Sequence, residues 1–128
     1  MKRCSQSSFA EGKNEPRIVI KNLTVDGEDI VSAWDALKSL VAQMKELAQS
    51  YDVSLYAVLI PDCVQVSNEY QSIYKNAGFE MNEITDQMAK PQQFMGIILD
   101  ENQIPFLDLL PEFKKVNVRV STLLTTPI

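Results

Sequence analysis

The 128-residue sequence contains no histidine. Histidine is the commonest general base, the base of Ser-His-Asp and Cys-His catalysis, and the commonest metal ligand. Cysteine is also scarce, and the separation of Cys4 and Cys63 fits no zinc spacing. Cys4 lies in a polar N-terminal stretch, which argues against a structural disulfide. We therefore predict no catalytic residue, no metal ligand and no cofactor-binding residue in this chain.

Positive charge and long apolar runs are also lacking. The net charge is −5 and the Lys and Arg residues are scattered, so no basic surface that could neutralise nucleic-acid phosphates is expected. No apolar run is long enough to span a bilayer, and the N-terminal stretch lacks the apolar core of a signal peptide. The sequence thus predicts a cytoplasmic protein that binds neither nucleic acid nor membranes.

The first half of the chain predicts a strand, a helix and a second strand. Residues 1–16 are polar and aperiodic and predict a flexible tail, whereas the β-branched 17–23 predict a strand. Residues 30–50 carry an apolar stripe at three- and four-residue steps, which predicts a helix. If that helix starts late, Ser32 and Asp35 form a capping box. The nearly continuous apolar run 53–60 is typical of a parallel strand buried on both faces. Together these segments predict a right-handed βαβ unit.

The apolar stripe of this helix allows two interpretations. It consists of Trp34, Leu37, Leu40, Val41, Met44, Leu47 and Ala48. It either binds a partner helix or is buried against the sheet of its own domain. Burial is favoured, because a strand-like segment follows directly.

The second half predicts shorter elements. Ser67 caps a helix that runs to about Asn76 and is closed by Gly78, and Pro91 lies in the first turn of another helix. Residues 80–90 predict one or two further helical turns, and 104–107 a short strand followed by an irregular turn around Pro111. Alternating apolar residues predict an edge strand at 116–120. The side chains expected to point inward between 91 and 104 are Phe94, Met95, Ile97, Ile98 and Ile104.

Two segments carry a family resemblance. "SLYAVLIPDCVQVSNEY" at 54–70 and "IPFLDLLPEF" at 104–113 resemble the C-terminal half of the SGNH, or GDSL-type, hydrolases, which are esterases and acylhydrolases. Within that family they are most similar to the branch related to bacterial polysaccharide O-acetyl transfer and deacetylation. The matching motifs are "LIP" at 59–61, "QV" at 65–66 and "LDLLPEF" at 107–113. The resemblance covers about two-thirds of the chain, roughly 30–113.

The resemblance implies a fold and an ancestral activity. The fold is α/β, a three-layer α/β/α arrangement with a small, mostly parallel, flavodoxin-like sheet of three or four strands. Residues 17–113 form a partial domain, and 114–128 form a divergent C-terminal tail that a frameshift could produce. The family's G-D-S, G-x-N-D and D-x-x-H catalytic blocks all lack counterparts here. An acyl ester or acetylated sugar is therefore expected as substrate only for a restored full-length domain. The resemblance is compatible with export of such full-length relatives from the cytoplasm.

The loop after the second strand is the predicted cleft. Sheets of this class bind ligands at the carboxyl ends of their strands. The cysteine and the tyrosines of this region also have a structural interpretation. The cysteine would then pack against its own loop, and the tyrosines would form a small satellite core. The possible cleft-lining residues are Pro61, Asp62, Cys63, Gln65, Tyr70 and Tyr74.

Acidic residues elsewhere are predicted to be structural. Asp108 lies within an apolar run and is expected to tie the turn after its strand by a hydrogen bond. The adjacent pairs Asp100–Glu101 and Glu28–Asp29 lie at predicted helix ends, where carboxylates are commonly solvated or offset the helix dipole.

Three functions follow from the sequence, and the least supported of them is an independent enzyme that uses carboxylates as its acid and base. The first is a partial ester hydrolase-like domain, inactive as this chain. The second is a non-catalytic interaction domain that completes its sheet with a partner or by self-association. An incomplete sheet leaves an unpaired edge, which invites pairing with another chain. The isolated chain is therefore expected to be marginally stable or to self-associate.

Overall fold

The computed structural model describes residues 14–23, 25, 27–81 and 89–125, and the side chains of all these except 29 and 118–125. Most of the predicted tail and most of 80–90 lie outside the described residues. The described part is α/β in the coarse sense, rich in helix with a small parallel sheet. Its elements are α1 (Ile18–Leu23), α2 (Glu28–Ser50), β1 (Ala57–Leu59), α3 (Cys63–Val66), α4 (Asn68–Asn76), α5 (Lys90–Glu101), β2 (Phe106–Asp108) and α6 (Leu110–Thr125). None of these helices is long and apolar enough to cross a membrane.

The sheet consists of two parallel strands within the described residues, fewer than the three or four expected. Ala57 lies opposite Phe106, and Leu59 lies opposite Asp108. The Leu109 amide donates to the Leu59 carbonyl at 3.1 Å, which extends the pairing beyond the strand ends. Among the described residues the parallel pair is therefore β1 and β2, joined by a connection that contains α3, α4 and α5, and not the unit predicted from residues 17–60.

The predicted strand at 17–23 is wrong, because these residues form α1. Its Arg17 carbonyl accepts from the Lys21 amide at 2.9 Å, a helical bond. Ile20 and Leu23 are three residues apart and are both buried. Only a helix places such a pair on one face, so tertiary burial overrides the strand preference of β-branched residues.

The predicted edge strand at 116–120 is also wrong, because α6 runs from Leu110 to Thr125. The Asp108 side chain accepts from the Leu110 amide at 2.9 Å and so satisfies one free donor at the start of this helix. Pro111 lies in its first turn, where proline is well tolerated. The expected boundary between residues 113 and 114 therefore falls inside one continuous helix.

Helix α2 begins earlier than predicted. Gly27 precedes it with φ of 114°, a conformation that glycine adopts readily. Ser32 and Asp35 therefore lie inside the helix and form no capping box at its start.

The larger hydrophobic core joins α2, α5 and one face of the sheet. Val41 from α2 and Ile98 and Leu99 from α5 are its buried centre, together with Ile104. Trp34 meets Phe94 edge-on with ring centroids 4.8 Å apart. The partly buried side chains around this centre are Trp34, Leu37, Leu55, Ala57, Leu59, Phe94, Met95 and Phe106. The inward positions predicted for Phe94, Met95, Ile98 and Ile104 are confirmed, but Ile97 is 54% exposed.

The smaller core joins α1, α3 and α4. Val64 is its fully buried centre. Its other buried members are Ile20, Leu23, Ala77, Phe79 and Met81. The Glu80 amide donates to the Pro16 carbonyl at 2.8 Å and ties the chain after α4 to the start of α1.

The expectation that 53–60 is buried on both faces is wrong. Exposure alternates along β1: Ala57 and Leu59 are partly buried beneath the helices, whereas Tyr56, Val58 and Ile60 are exposed. Leu107, the partner of Val58, is exposed as well. We call Tyr56, Val58, Ile60 and Leu107 the outer sheet face; no described element covers it.

Candidate functional site

The loop after β1 turns at a complete capping box. The Asp62 carboxylate accepts from the Val64 amide at 3.0 Å, and the Gln65 side-chain oxygen accepts from the Asp62 amide at 2.7 Å. This reciprocal arrangement satisfies free amides at the start of the short helix α3. Asp62 therefore holds the loop in place, and its carboxylate is engaged in a structural role.

Gln65 also joins the two halves of the molecule. Its side-chain nitrogen donates to the Gln92 oxygen at 2.8 Å, and the Gln92 nitrogen donates back to the Gln65 oxygen at 3.0 Å. Both side chains are buried. A buried polar side chain requires a partner, and this amide pair supplies one for each while fixing α3 against α5.

Two clefts open beside the carboxyl end of β1. The first, of about 270 Å³, is lined by Val19, Asn22, Leu23, Ile60, Asp62, Gln65, Pro91 and Gln92. The second, of about 290 Å³, is lined by Trp34, Leu37, Val58, Leu59, Ile60, Pro91, Gln92 and Met95. They share Ile60, Pro91 and Gln92, so one groove follows the end of β1 across the start of α5. Of the six predicted cleft residues, Asp62 and Gln65 line this groove.

Cys63 faces away from that groove and packs against the smaller core. Burial raises the pKa of its thiol, and the negative charge of Asp62 raises that pKa further. The sulfur lies 3.5 Å from the Asp62 carboxylate and 3.9 Å from the Tyr74 hydroxyl. A nucleophilic cysteine requires a lowered pKa. The environment of Cys63 does the opposite and keeps the thiol protonated near neutral pH.

Tyr70 and Tyr74 pack against the smaller core and form the predicted satellite core. The Tyr74 ring lies 5.3 Å from that of Phe79. The Ser67 hydroxyl accepts from the Glu69 amide at 3.2 Å, which confirms the predicted cap of this helix. Pro61 is buried and is not among the groove-lining residues.

The remaining acidic candidates do not form an acid–base pair at the groove. Asp108 caps α6, as predicted for a structural acid. Asp100 and Glu101 are exposed at the end of α5, and Glu28 is exposed at the start of α2. Within the described ranges, no group of three or more Cys, Asp or Glu side chains could hold a metal ion. The groove therefore offers apolar surface and two paired amides, and its one carboxylate is bound to backbone amides.

Sequence reasoning missed Gln92 and Ile60 as groove residues. Gln92 follows Pro91 in the first turn of α5, and no local pattern distinguishes it from the exposed Gln93 beside it. Ile60 lies at the end of an apolar run that predicted burial. Ile60 is exposed because no described element packs on the outer sheet face. The local sequence does not reveal this, because it depends on the tertiary arrangement of the helices.

The Gln65–Gln92 pair yields a stability prediction. Gln92→Met leaves the buried Gln65 amide without this partner, so we expect the free energy of unfolding to fall by about 1–3 kcal/mol in urea denaturation. Gln65→Met should cost at least as much, because it also removes the capping box. The double variant should cost less than the sum of the two single changes. Gln93→Met, on the exposed neighbour, is the control and should change little; strict additivity of the pair would contradict the interaction.

The thiol chemistry of Cys63 yields a second prediction. In a Cys4→Ser background at pH 8, iodoacetamide should alkylate Cys63 several-fold more slowly than a small free thiol, because the raised pKa keeps the thiolate scarce. Asp62→Asn preserves an N-cap side chain and removes the negative charge, so it should accelerate alkylation. Mass spectrometry follows the reaction. A rate equal to that of the free thiol and unchanged by Asp62→Asn would refute this description.

Comparison of the chain with protein-family models, with curated proteins and with solved structures finds no match.

Proposed function

We propose that this chain is a non-catalytic interaction domain that completes its sheet with another polypeptide. The observation that carries the proposal is the outer sheet face. Val58 and Leu107 lie opposite each other in the sheet and are 55% and 54% exposed. Tyr56 and Ile60 extend the same apolar face along β1.

Parallel sheets normally carry cover on both faces, because both faces of their strands are apolar. Here α2 and α5 cover one face alone among the described elements. Both described strands are also edge strands, since each has one neighbour. Unpaired edges and an apolar face are the two features by which a sheet recruits a further strand or layer.

The proposed partner therefore supplies the missing layer. With it, the sheet acquires the three-layer α/β/α arrangement that the sequence predicted. In this proposal the interaction takes place in the cytoplasm, the compartment that the sequence analysis predicts. The groove beside β1 then adjoins the interface through Val58 and Ile60, which belong to both surfaces.

A photocrosslinking amino acid tests the proposal inside cells. Placed at Leu107, on the outer sheet face, it should give a discrete crosslinked product that mass spectrometry identifies as one partner chain or a second copy. Placed at Ile97, which has the same 54% exposure on α5, it should give none. Equal crosslinking at the two positions, or none at either, would contradict an interface on the outer sheet face.

The second candidate is descent from an SGNH-type ester hydrolase. What favours it is the pairing of the two segments that carry the resemblance: β1 before Pro61 and β2 within "IPFLDLLPEF" are adjacent parallel strands. The matching Gln-Val pair lies in α3, and its Gln65 lines the groove. The catalytic blocks of the family still lack counterparts in this chain, so the framework would be inherited without the activity.

A short-chain acyl ester assay tests this second candidate. We expect no hydrolysis of p-nitrophenyl acetate above the buffer rate, because no histidine base is present and Asp62 is bound to the start of α3. Turnover that disappears on Asp62→Asn, with the fold retained by circular dichroism, would overturn the non-catalytic assignment.

A further inference from the structure

The backbone hydrogen bonds of β1 show which of its edges is open. The Ala57 amide donates to the Pro105 carbonyl at 3.0 Å, and the Leu59 carbonyl accepts from the Leu109 amide at 3.1 Å. In a parallel ladder, alternate residues of a strand bond to the same neighbouring strand. The amide and carbonyl of Val58 therefore point away from β2, and neither bonds to the backbone of another described residue.

A cleft opens along this free edge of β1. It is the second of the two clefts beside the strand, with a volume of about 290 Å³. Its lining joins Val58 and Ile60 of the outer sheet face to Leu59 of the covered face, and it includes none of the described β2 residues. A cavity that touches both faces of one strand and not the neighbouring strand lies at the free edge. The helices α2 and α5 complete the lining with Trp34, Leu37, Pro91, Gln92 and Met95.

The chemistry of the cleft identifies the kind of segment that fits it. No charged side chain is among the described residues that line it, and the Gln92 amide is already bonded to Gln65. The backbone of Val58 needs an acceptor and a donor in return. A helix offers neither, because its backbone groups bond within the helix. An extended segment offers both along its length.

The volume of the cleft agrees with a strand. Small-molecule pockets enclose roughly 300 Å³ or more, and this cleft lies at that lower limit. It therefore has room for individual side chains of a segment whose main chain runs outside it. Alternate side chains of a strand point to the same face, which matches one covered face beside α2 and α5 and one open face beside Val58 and Ile60.

We propose that an extended segment of the partner adds to the sheet as a third strand beside β1, in the cleft along its free edge. The inference rests on the proposed function and names the part of the partner that binds. Main-chain bonds join the segment to the amide and carbonyl of Val58. Every second side chain is apolar and enters the cleft, and the others extend the outer sheet face. Basic residues on either side of the segment complement the net charge of −5.

The size of this contact sets its strength. One added strand contacts less surface than the roughly 800 Å² per partner of a stable complex. The isolated segment therefore binds weakly, and a partner that also covers the outer sheet face binds more tightly. The two contacts are continuous, because Val58 and Ile60 belong to both.

Amide hydrogen exchange tests whether the edge is open. In the purified full chain, the Val58 amide should exchange at least tenfold faster than the Ala57 amide, which is bonded within the sheet. Nuclear magnetic resonance follows both amides, with each rate corrected for its intrinsic value. A Val58 amide as protected as that of Ala57 would show an edge that is already paired and would overturn the proposal.

Selection of phage-displayed random peptides on the immobilised full chain tests the occupant. The enriched sequences should alternate apolar residues. They should bind Val58→Ala, which keeps the amide, at least tenfold more tightly than Val58→Pro, which removes it. Proline is tolerated on an edge strand, and the bonds of Ala57 and Leu59 to β2 remain. Circular dichroism confirms that both variants fold. No enrichment, or equal binding to the two variants, would overturn the proposal.

Backbone methylation of a selected peptide repeats the test without any protein variant. Only alternate amides of an added strand face β1. N-methylation of one alternate set should abolish binding, and N-methylation of the other set should preserve it. Equal effects of the two sets would contradict a strand. Crosslinking at Leu107 reports on the outer sheet face, so it separates failure of the added strand from failure of the proposed function.

Discussion

A parallel pair of strands needs cover on two faces, and the described elements of this molecule cover one of them. On the covered side the fit is close: a Cβ atom on Gly96 of α5 would lie 3.1 Å from the Phe106 ring of β2. On the other side Val58 and Leu107 meet water. Apolar surface left in water forgoes about 25 cal/mol of stabilisation per Å². This imbalance is the constraint on which the proposed function depends, since a partner on the outer sheet face would remove that apolar surface from water.

Two small hydrophobic cores stabilise the fold, and the hydrogen-bonded side-chain amides of Gln65 and Gln92 connect them. Gln65 belongs to α3, beside the smaller core, and Gln92 belongs to α5, beside the larger one. Because the same Gln65 oxygen closes the capping box of Asp62, the loop after β1 and the start of α5 are positioned together. The groove between them is therefore defined by structural hydrogen bonds, and its polar atoms are already engaged in holding the fold.

Local signals predicted the elements that depend on local chemistry. The long helix, the Ser67 cap, the Pro91 helix start and the Asp108 turn all follow from spacing or capping residues within a few positions. The strand predictions at 17–23 and 116–120 both relied on β-branched residues. Burial of Ile20 and Leu23 on one helix face overrides that preference in the first segment, and the Asp108 cap starts a helix before the second. The role of Gln92 could not be predicted, because its partner Gln65 is 27 residues away.

The central claim is that the outer sheet face is covered by another polypeptide when the protein works. Carbene footprinting, which labels exposed side chains, measures this cover directly in expressing cells and in purified protein. The predicted result is labelling of Tyr56, Ile60 and Leu107 that is several-fold lower in cells than in the purified protein, with Ile97 labelled equally in both. Equal labelling of all four residues in the two samples would contradict the claim.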